Sequence, residues 1–315
     1  MLNAGKLNKL QRKIAFAFAL ALLAVSLFIT VAPKLNLPFE VPGWDDIFSA
    51  SGMTDSSEAL SMPFSAHFID VGQGDCELVI CGEKSMLIDA GETGNSENIL
   101  SYLKSAGVEK LDYIVVTHPH SDHIGSMAEI IGSMPVENVI MPRLSEENIP
   151  TTKVYENLLI ALKDSGANII AAECGDEYTL GDAAFTVLSP VKQYEDLNNM
   201  SVVLHFTYGG ISYIFMGDAE TEAEKDIIKS GLELSSDVIK IGHHGSDTSS
   251  SEKFLRQVKP RYAVVSCGAG NSYNHPNAKI VNRITSLGVS LFRTDIDGTV
   301  IIATDGKSCK TFKGV

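Results

Sequence analysis

Thr117-His118-Pro119-His120-Ser121-Asp122-His123 brings three imidazoles and one carboxylate together within six positions, His118 to His123. The whole chain has eight histidines, so this density is far from the scatter expected of ordinary core or surface residues. The bland alternative is a histidine-rich surface loop. Borderline divalent cations such as zinc favour nitrogen and oxygen donors of this kind. The stretch follows an apolar run from Leu111 to Val116 that reads as a buried strand, and a helix is expected from about Ile124. At a strand tip before a helix, neighbouring side chains can converge instead of alternating between faces.

Two further tips carry similar residues. Gly217-Asp218 follows the apolar strand 211–216, and an Asp there would ordinarily cap the helix expected from Ala219. His243-His244-Gly245-Ser246 comes 25 positions after Asp218, behind another apolar strand. Adjacent histidines at such a place are unusual in a core, which points to a metal or substrate role for at least one.

The elements that must position these residues are regular. Strands are expected over 66–71, 76–81, 85–89, 136–141, 167–171, 184–188, 201–208, 237–241, 261–266, 289–293 and 299–303. Helices are expected over 96–106, 152–165, 219–229 and 277–287, and Ser249 with Glu252 fits a capping box for a short one. Asp297-Gly298 reads as the turn joining the last two strands. Early strand meanders followed by strands alternating with helices predict an α/β protein of two packed sheets with helices outside.

The chain has 315 residues, 44% of them hydrophobic, enough for one large or two modest domains. Its net charge of −14 disfavours non-specific nucleic-acid binding, which depends on Lys and Arg, but does not exclude a nuclease whose metal ions hold the phosphate. The five cysteines are scattered, without zinc-ribbon spacing, and read as mostly buried small hydrophobes.

Residues 14–32 contain no charge and as a helix would be roughly 28 Å long, near the thickness of a bilayer core. Lys6, Lys9, Arg12 and Lys13 precede them, and residues 33–60 carry a net charge of −4. This predicts a basic cytoplasmic segment 1–13, a single transmembrane anchor 14–32, a Pro- and Ser-rich linker 33–62 and an extracytoplasmic domain 63–315. A cleaved signal peptide, leaving a secreted domain, is the alternative.

The three strand tips, in this order, strongly resemble the metallo-β-lactamase superfamily, which implies an αββα sandwich with two divalent metal ions at one edge. By that resemblance His118 and His120 hold one ion and Asp122 and His123 the other. Asp218 bridges them, and one of His243 and His244 completes the second site. His244 is preferred because the family's last ligand is often followed by Gly, leaving His243 to face the substrate. Asp89, ending the run Leu87-Ile88-Asp89-Ala90-Gly91, matches the family's supporting aspartate, which orients ligands.

One departure stands out. The family usually has another His about twenty positions before the bridging Asp, where this chain has Leu197-Asn198-Asn199-Met200-Ser201. His205 is the nearest, and it sits inside a predicted strand. The first ion is then left with two imidazoles, Asp218 and solvent, which implies weak binding or a preference for manganese or iron over zinc. Together with Phe68-Ile69-Asp70-Val71-Gly72-Gln73-Gly74-Asp75, Lys240-Ile241-Gly242-His243-His244-Gly245-Ser246 and Asn271-Ser272-Tyr273-Asn274-His275-Pro276, this departure resembles the extracytoplasmic hydrolase domain of ComEC-type DNA-uptake proteins over residues 64–304.

The resemblance implies a phosphodiesterase or nuclease, with single-stranded DNA as substrate and a metal-activated hydroxide as nucleophile. Asp122 would orient the nucleophile, His275 would protonate the leaving oxygen, and Asn199 and Ser201 would hydrogen-bond substrate. The Gly245-Ser246 turn would offer backbone N–H groups to a phosphate oxygen. Hydrolysis of another ester (a wall phosphodiester, thioester or lactam) and a non-catalytic accessory role in a surface assembly are the alternatives.

Overall fold

A computed structural model describes residues 56–314, together with residues 23, 25–28 and 30. The expected anchor 14–32 therefore lies largely outside the described residues. The six that are described there are helical, with Leu23, Val25, Leu27 and Phe28 exposed. Among the described residues no helix is long and apolar enough to cross a membrane.

The domain begins earlier than expected. Helix α1 (Ser56–Ser61) belongs to the compact unit that starts at Ser56, and its Ala59 packs on Ile301, Ala303 and Phe312. The compact unit thus takes in residues 56–62, which the sequence reading assigned to the linker 33–62. The chain then forms β1 (Phe64–Phe68), β2 (Glu77–Cys81), β3 (Lys84–Ile88), α2 (Ser96–Ser105), β4 (Leu111–Val115), α3 (Ser121–Ile124), α4 (Met127–Ser133), β5 (Val136–Met141), α5 (Lys153–Ser165) and β6 (Asn168–Ala171). After these come β7 (Glu177–Leu180), β8 (Ala183–Ser189), β9 (Val203–Tyr208), β10 (Ile211–Phe215), α6 (Thr221–Ser230), β11 (Val238–Lys240), α7 (Glu252–Val258), β12 (Tyr262–Val265), α8 (Ala278–Ser286), β13 (Ser290–Arg293), α9 (Thr294–Asp297), β14 (Val300–Thr304) and β15 (Cys309–Lys313).

Two sheets result, ordered β15-β14-β1-β2-β3-β4-β5-β6 and β13-β12-β11-β10-β9-β8-β7. Strand alternation explains how they meet. Phe64, Ala66 and Phe68 of β1 join Leu204 and Phe206 of β9 and Tyr213 and Phe215 of β10 in the core between the sheets. Ser65 and His67 point the other way, where His67 Nε2 lies 2.8 Å from Ser65 Oγ and Nδ1 2.8 Å from Tyr102 Oη on α2. Helices α2, α4 and α5 cover the outer face of the first sheet and α6, α7 and α8 that of the second, giving the expected αββα sandwich.

Strands β3 to β6 run parallel, as do β10 to β13. Parallel neighbours need crossovers, and the crossover helices leave the strands' carboxyl ends free to carry the site loops.

Three local expectations change. The last two predicted strands are not a hairpin: β13 pairs with β12 in one sheet and β14 with β1 and β15 in the other, with α9 and Gly298 (φ 65°) turning the chain between them. Helix α7 is capped by Ser251, whose Oγ accepts from Phe254 N–H at 3.2 Å. Ser249, the expected cap, instead donates to Gly242 O at 2.7 Å. Strands β7 and β15 went unanticipated; both pair along one side only, at sheet edges, and are too exposed to show an alternating apolar pattern.

Candidate metal centre

The loop after β4 is held from beneath by Asp89. This residue follows β3 in a left-handed conformation (φ 56°), uncommon for a side-chain-bearing residue. Its carboxylate accepts from Thr117 N–H (2.9 Å), from the Thr117 hydroxyl (2.6 Å) and from His123 Nδ1 (2.7 Å). With Nδ1 held by Asp89, Nε2 is the His123 nitrogen turned to the centre, 3.3 Å from Asp218 Oδ1. The loop also needs Gly74 (φ 121°), because a Cβ there would lie 2.2 Å from the Asp122 carbonyl oxygen.

Asp218 sits after β10 with its two oxygens turned to different partners. Oδ2 lies 3.8 Å from His118 Nε2 and 3.6 Å from His243 Nε2. Oδ1 lies 3.3 Å from His123 Nε2 and 3.5 Å from His244 Nε2. On the first side His120 Nδ1 is 3.0 Å from His118 Nε2. On the second, Asp122 Oδ2 is 3.3 Å from His244 Nε2. Four of the residues expected as ligands thus lie around the Asp218 carboxylate, with His120 beside His118 and Asp122 beside His244. Asp218 does not cap α6, whose N-cap is Glu220.

Among the described residues, four donor triads have their ligand atoms within 4.8 Å of one another: His118/His123/Asp218, Asp122/His123/His244, Asp75/Asp218/His244 and Asp75/Asp89/His123. The donor chemistry suits a divalent cation. His123 Nε2, Asp218 Oδ1 and His244 Nε2 are all buried without a hydrogen-bond partner, an arrangement that a shared cation would satisfy.

The charges agree. For Asp218, burial opposes ionisation, but His244 and His123 outweigh it and hold the carboxyl well below its usual range. Asp122 is held low in the same way, chiefly through His244 and His123. Burial likewise works against protonating His123, yet Asp218 and Asp89 push it well above the ordinary imidazole value. For His244 the same opposition is overcome by Asp218 and Asp75, which push it up to about 10. Burial and the neighbouring His123 push His118 down. Ionised carboxylates beside rings that readily accept positive charge make a pit that exchanges protons for a cation.

Several residues have structural tasks that the sequence did not reveal. Asn199 is buried, and its Oδ1 accepts from Glu220 N–H (3.1 Å) and Ala223 N–H (3.2 Å), so it anchors the start of α6. Ser201 lies behind the ligands: its Oγ accepts from Asp218 N–H at 3.0 Å and is 3.4 Å from His118 Nδ1. Ser246 N–H donates to His243 O at 2.7 Å and so is not free for a phosphate. A Cβ on Gly245 (φ 80°) would lie 2.6 Å from Pro276 Cβ, so this glycine serves close packing.

Glu220, Lys240 and Asn198 enter the site unannounced, and Asp75, which the sequence could place at the same edge or in a plain turn, joins them. Glu220 Oε1 is 3.0 Å from His243 Nδ1, and Asp75 Oδ1 is 3.1 Å from His244 Nδ1. Lys240, fully buried, binds Asp75 Oδ2 at 2.7 Å. Asn198, not Asn199, faces the cleft, with Oδ1 buried and unpartnered. The only hint was proximity in sequence to Asp218, His244 and the Gly72-Gln73-Gly74 turn. The centre opens into a cleft of about 440 Å³, walled by Pro119, Leu197, Asn198, Tyr273 and His275.

Comparison with known proteins agrees with the sandwich fold. Residues 69–269 match the model of a family described as the metallo-beta-lactamase superfamily. The chain is 30% identical to ComE operon protein 3 of Bacillus subtilis (strain 168) over 260 residues, covering 76% of this chain and 33% of that protein. It is 33% identical to competence protein ComA of Neisseria gonorrhoeae over 235 residues, covering 73% of this chain and 31% of that protein. It therefore spans about a third of the length of these curated relatives. Among solved structures it is similar in fold to CmlA, a diiron beta-hydroxylase from Streptomyces venezuelae (TM-score 0.55, 13% identity, 77% of this chain and 54% of that one).

Proposed function

This chain belongs to the metallo-beta-lactamase superfamily, and on that premise we propose that it is a divalent-metal-dependent phosphodiesterase acting on single-stranded DNA outside the cell membrane. The observation that carries the reading is the division of Asp218, one oxygen toward His118 and the other toward His123 and His244. His118, His120 and Asp218 would hold one ion, and Asp122, His123, His244 and Asp218 would hold the other, with zinc and manganese both suited to the donors. Bound cations supply an acidified water and a positive field over a phosphodiester.

The protein's own groups do the rest. Asp122, half-buried at the cleft, stays ionised and orients the attacking water through its carboxylate. His275 lines the cleft with Nδ1 buried and unpartnered. Burial, then His243 and His244, push its pKa down, so it is neutral at neutral pH. It therefore serves as a hydrogen-bond donor to the leaving oxygen, a more modest part than the full proton transfer expected from the sequence.

Tyr273 is 63% exposed on the cleft wall and stacks on His275 with ring centroids 5.8 Å apart. An exposed ring beside the centre suits an unstacked base, a contact of about 1–3 kcal/mol in single-strand binders. The names of the competence relatives support DNA as substrate. The uncharged run 14–32 behind a basic flank supports a single membrane anchor.

Hydrolysis of bis-p-nitrophenyl phosphate and of single-stranded DNA by the purified protein, with manganese or zinc, tests the reading beside His120→Ala. His120 is exposed, so the variant should fold, and it should lose all turnover. Unchanged turnover would remove the centre from the reaction. Activity on a thioester or wall polymer alone would replace the substrate class.

A further inference from the structure

One set of donors is short of an imidazole. His118 Nε2 lies 3.8 Å from Asp218 Oδ2 and 3.0 Å from His120 Nδ1, but the segment 197–201, where a third ring would be expected, contains no histidine. His243 approaches the same oxygen from another strand tip, with Nε2 3.6 Å from Asp218 Oδ2. Two donors each ~2.1 Å from an ion at a tetrahedral angle stand about 3.4 Å apart, so this is the spacing of a ligand pair.

The other nitrogen of the ring is already occupied. His243 Nδ1 is 3.0 Å from Glu220 Oε1 and 3.3 Å from Thr248 Oγ1, and the Thr248 hydroxyl donates to the same Glu220 oxygen at 2.8 Å. A carboxylate accepting from Nδ1 places the proton there and leaves the Nε2 lone pair toward Asp218. Metal-binding histidines are commonly oriented in this way.

The backbone is shaped to the same end. His243 (φ 48°, ψ 49°) and His244 (φ 51°, ψ 23°) are consecutive non-glycine residues in the left-handed region, a conformation that side-chain-bearing residues seldom adopt. In an extended strand the two rings would point to opposite faces. Here both reach Asp218, His243 at Oδ2 and His244 at Oδ1. Resting on the two-cation reading above, we infer that His243 is the third imidazole of the first cation site, in place of the residue missing from 197–201, and that Glu220 is its positioning residue.

Metal content tests this without reference to turnover. Wild type, His243→Ala, His118→Ala/His243→Ala and His243→Ala/His244→Ala are loaded with manganese, desalted and measured by plasma mass spectrometry, with free Mn(II) followed by electron paramagnetic resonance. Wild type should retain two ions. His243→Ala and His118→Ala/His243→Ala should each retain one, since both substitutions fall on the same site, and His243→Ala/His244→Ala should retain none. Glu220→Gln, which keeps the side-chain shape, should weaken one of the two manganese sites by roughly 10–100-fold and leave the other unchanged.

If His243→Ala keeps two ions at wild-type affinity, His243 is not a ligand. If His118→Ala/His243→Ala retains none while His243→Ala/His244→Ala retains one, His243 serves the second site. Either result overturns the inference while leaving the hydrolase reading intact. A wild-type protein that binds fewer than two ions defeats the two-cation reading and the inference with it.

Discussion

Replacing Lys240 with Met would remove the ammonium from a buried row behind the centre. Lys240 Nζ is 2.7 Å from Asp75 Oδ2 and 3.1 Å from Ile241 O, and Asp75 Oδ1 is 3.1 Å from His244 Nδ1. The Lys240 and Asp75 side chains are 0% and 1% exposed, so water cannot take the place of either partner. Nearby Glu77 is pushed well above the ordinary carboxyl value, by burial first and then by Asp75, and stays protonated. The ion pair is therefore essentially Lys240 with Asp75. At an effective dielectric constant of about 20 their attraction is roughly 6 kcal/mol, and losing one member of such a pair typically costs about 3–5 kcal/mol.

In a domain of this size each kcal/mol moves Tm by roughly 2–4 °C, so Lys240→Met should melt about 6–20 °C below wild type. Circular dichroism of the chelator-treated protein measures the shift, free of any contribution from bound metal. Lys240→Met/Asp75→Leu should recover much of it, because removing both charges leaves no uncompensated one, and His244 Nδ1 keeps Ser266 O at 3.0 Å as an acceptor. A single variant melting within about 3 °C of wild type would refute the argument, as would a double variant melting well below the single.

Asn199→Ala should cost about 1–2 kcal/mol in urea unfolding through loss of the α6 anchor, with kcat within a few-fold of wild type; a large fall in kcat would return Asn199 to the chemistry. Gly74→Ala should displace the Asp122 carbonyl that its Cβ would meet at 2.2 Å, lowering both stability and metal affinity in calorimetry, whereas wild-type affinity would show that the loop yields freely. His67 gives a pH test. Burial lowers its pKa from 6.5 to about 3, so the unfolded chain binds more protons between those values. The stabilising contribution is complete above about pH 6.5 and is lost as pH falls toward 3, at about 1.4 kcal/mol per unit. Urea unfolding at pH 7, 6 and 5 should show this slope in wild type, flattened in His67→Gln; parallel slopes would contradict it.

The strand tips were legible because their chemistry is local. A run such as Leu111 to Val116 announces a buried strand, and the His and Asp residues that follow it bind cations wherever the loop is held. Periodicity also exposed the layers, since core-facing positions repeat along β1, β9 and β10. Periodicity was silent on the edge strands β7 and β15, which bury too little to alternate. It also misread β13 and β14 as a hairpin, because pairing partners are chosen by the sheets and not by the turn between them.

Role assignment needed three dimensions. The types and order of the ligands stand in the linear chain. Whether His243 faces Asp218 Oδ2 or Oδ1 depends on a left-handed backbone pair that no spacing encodes. Asn199 and Ser201 belonged to the expected site by resemblance, and folding turned Oδ1 of one to a helix end and placed the other beneath the ligands. Glu220, Asp75 and Lys240 are ordinary charged residues until packing brings them against His243 and His244. Donor identity is a property of side chains and survives in one dimension, whereas which lone pair meets which oxygen is a matter of direction, set when distant strand ends are packed together.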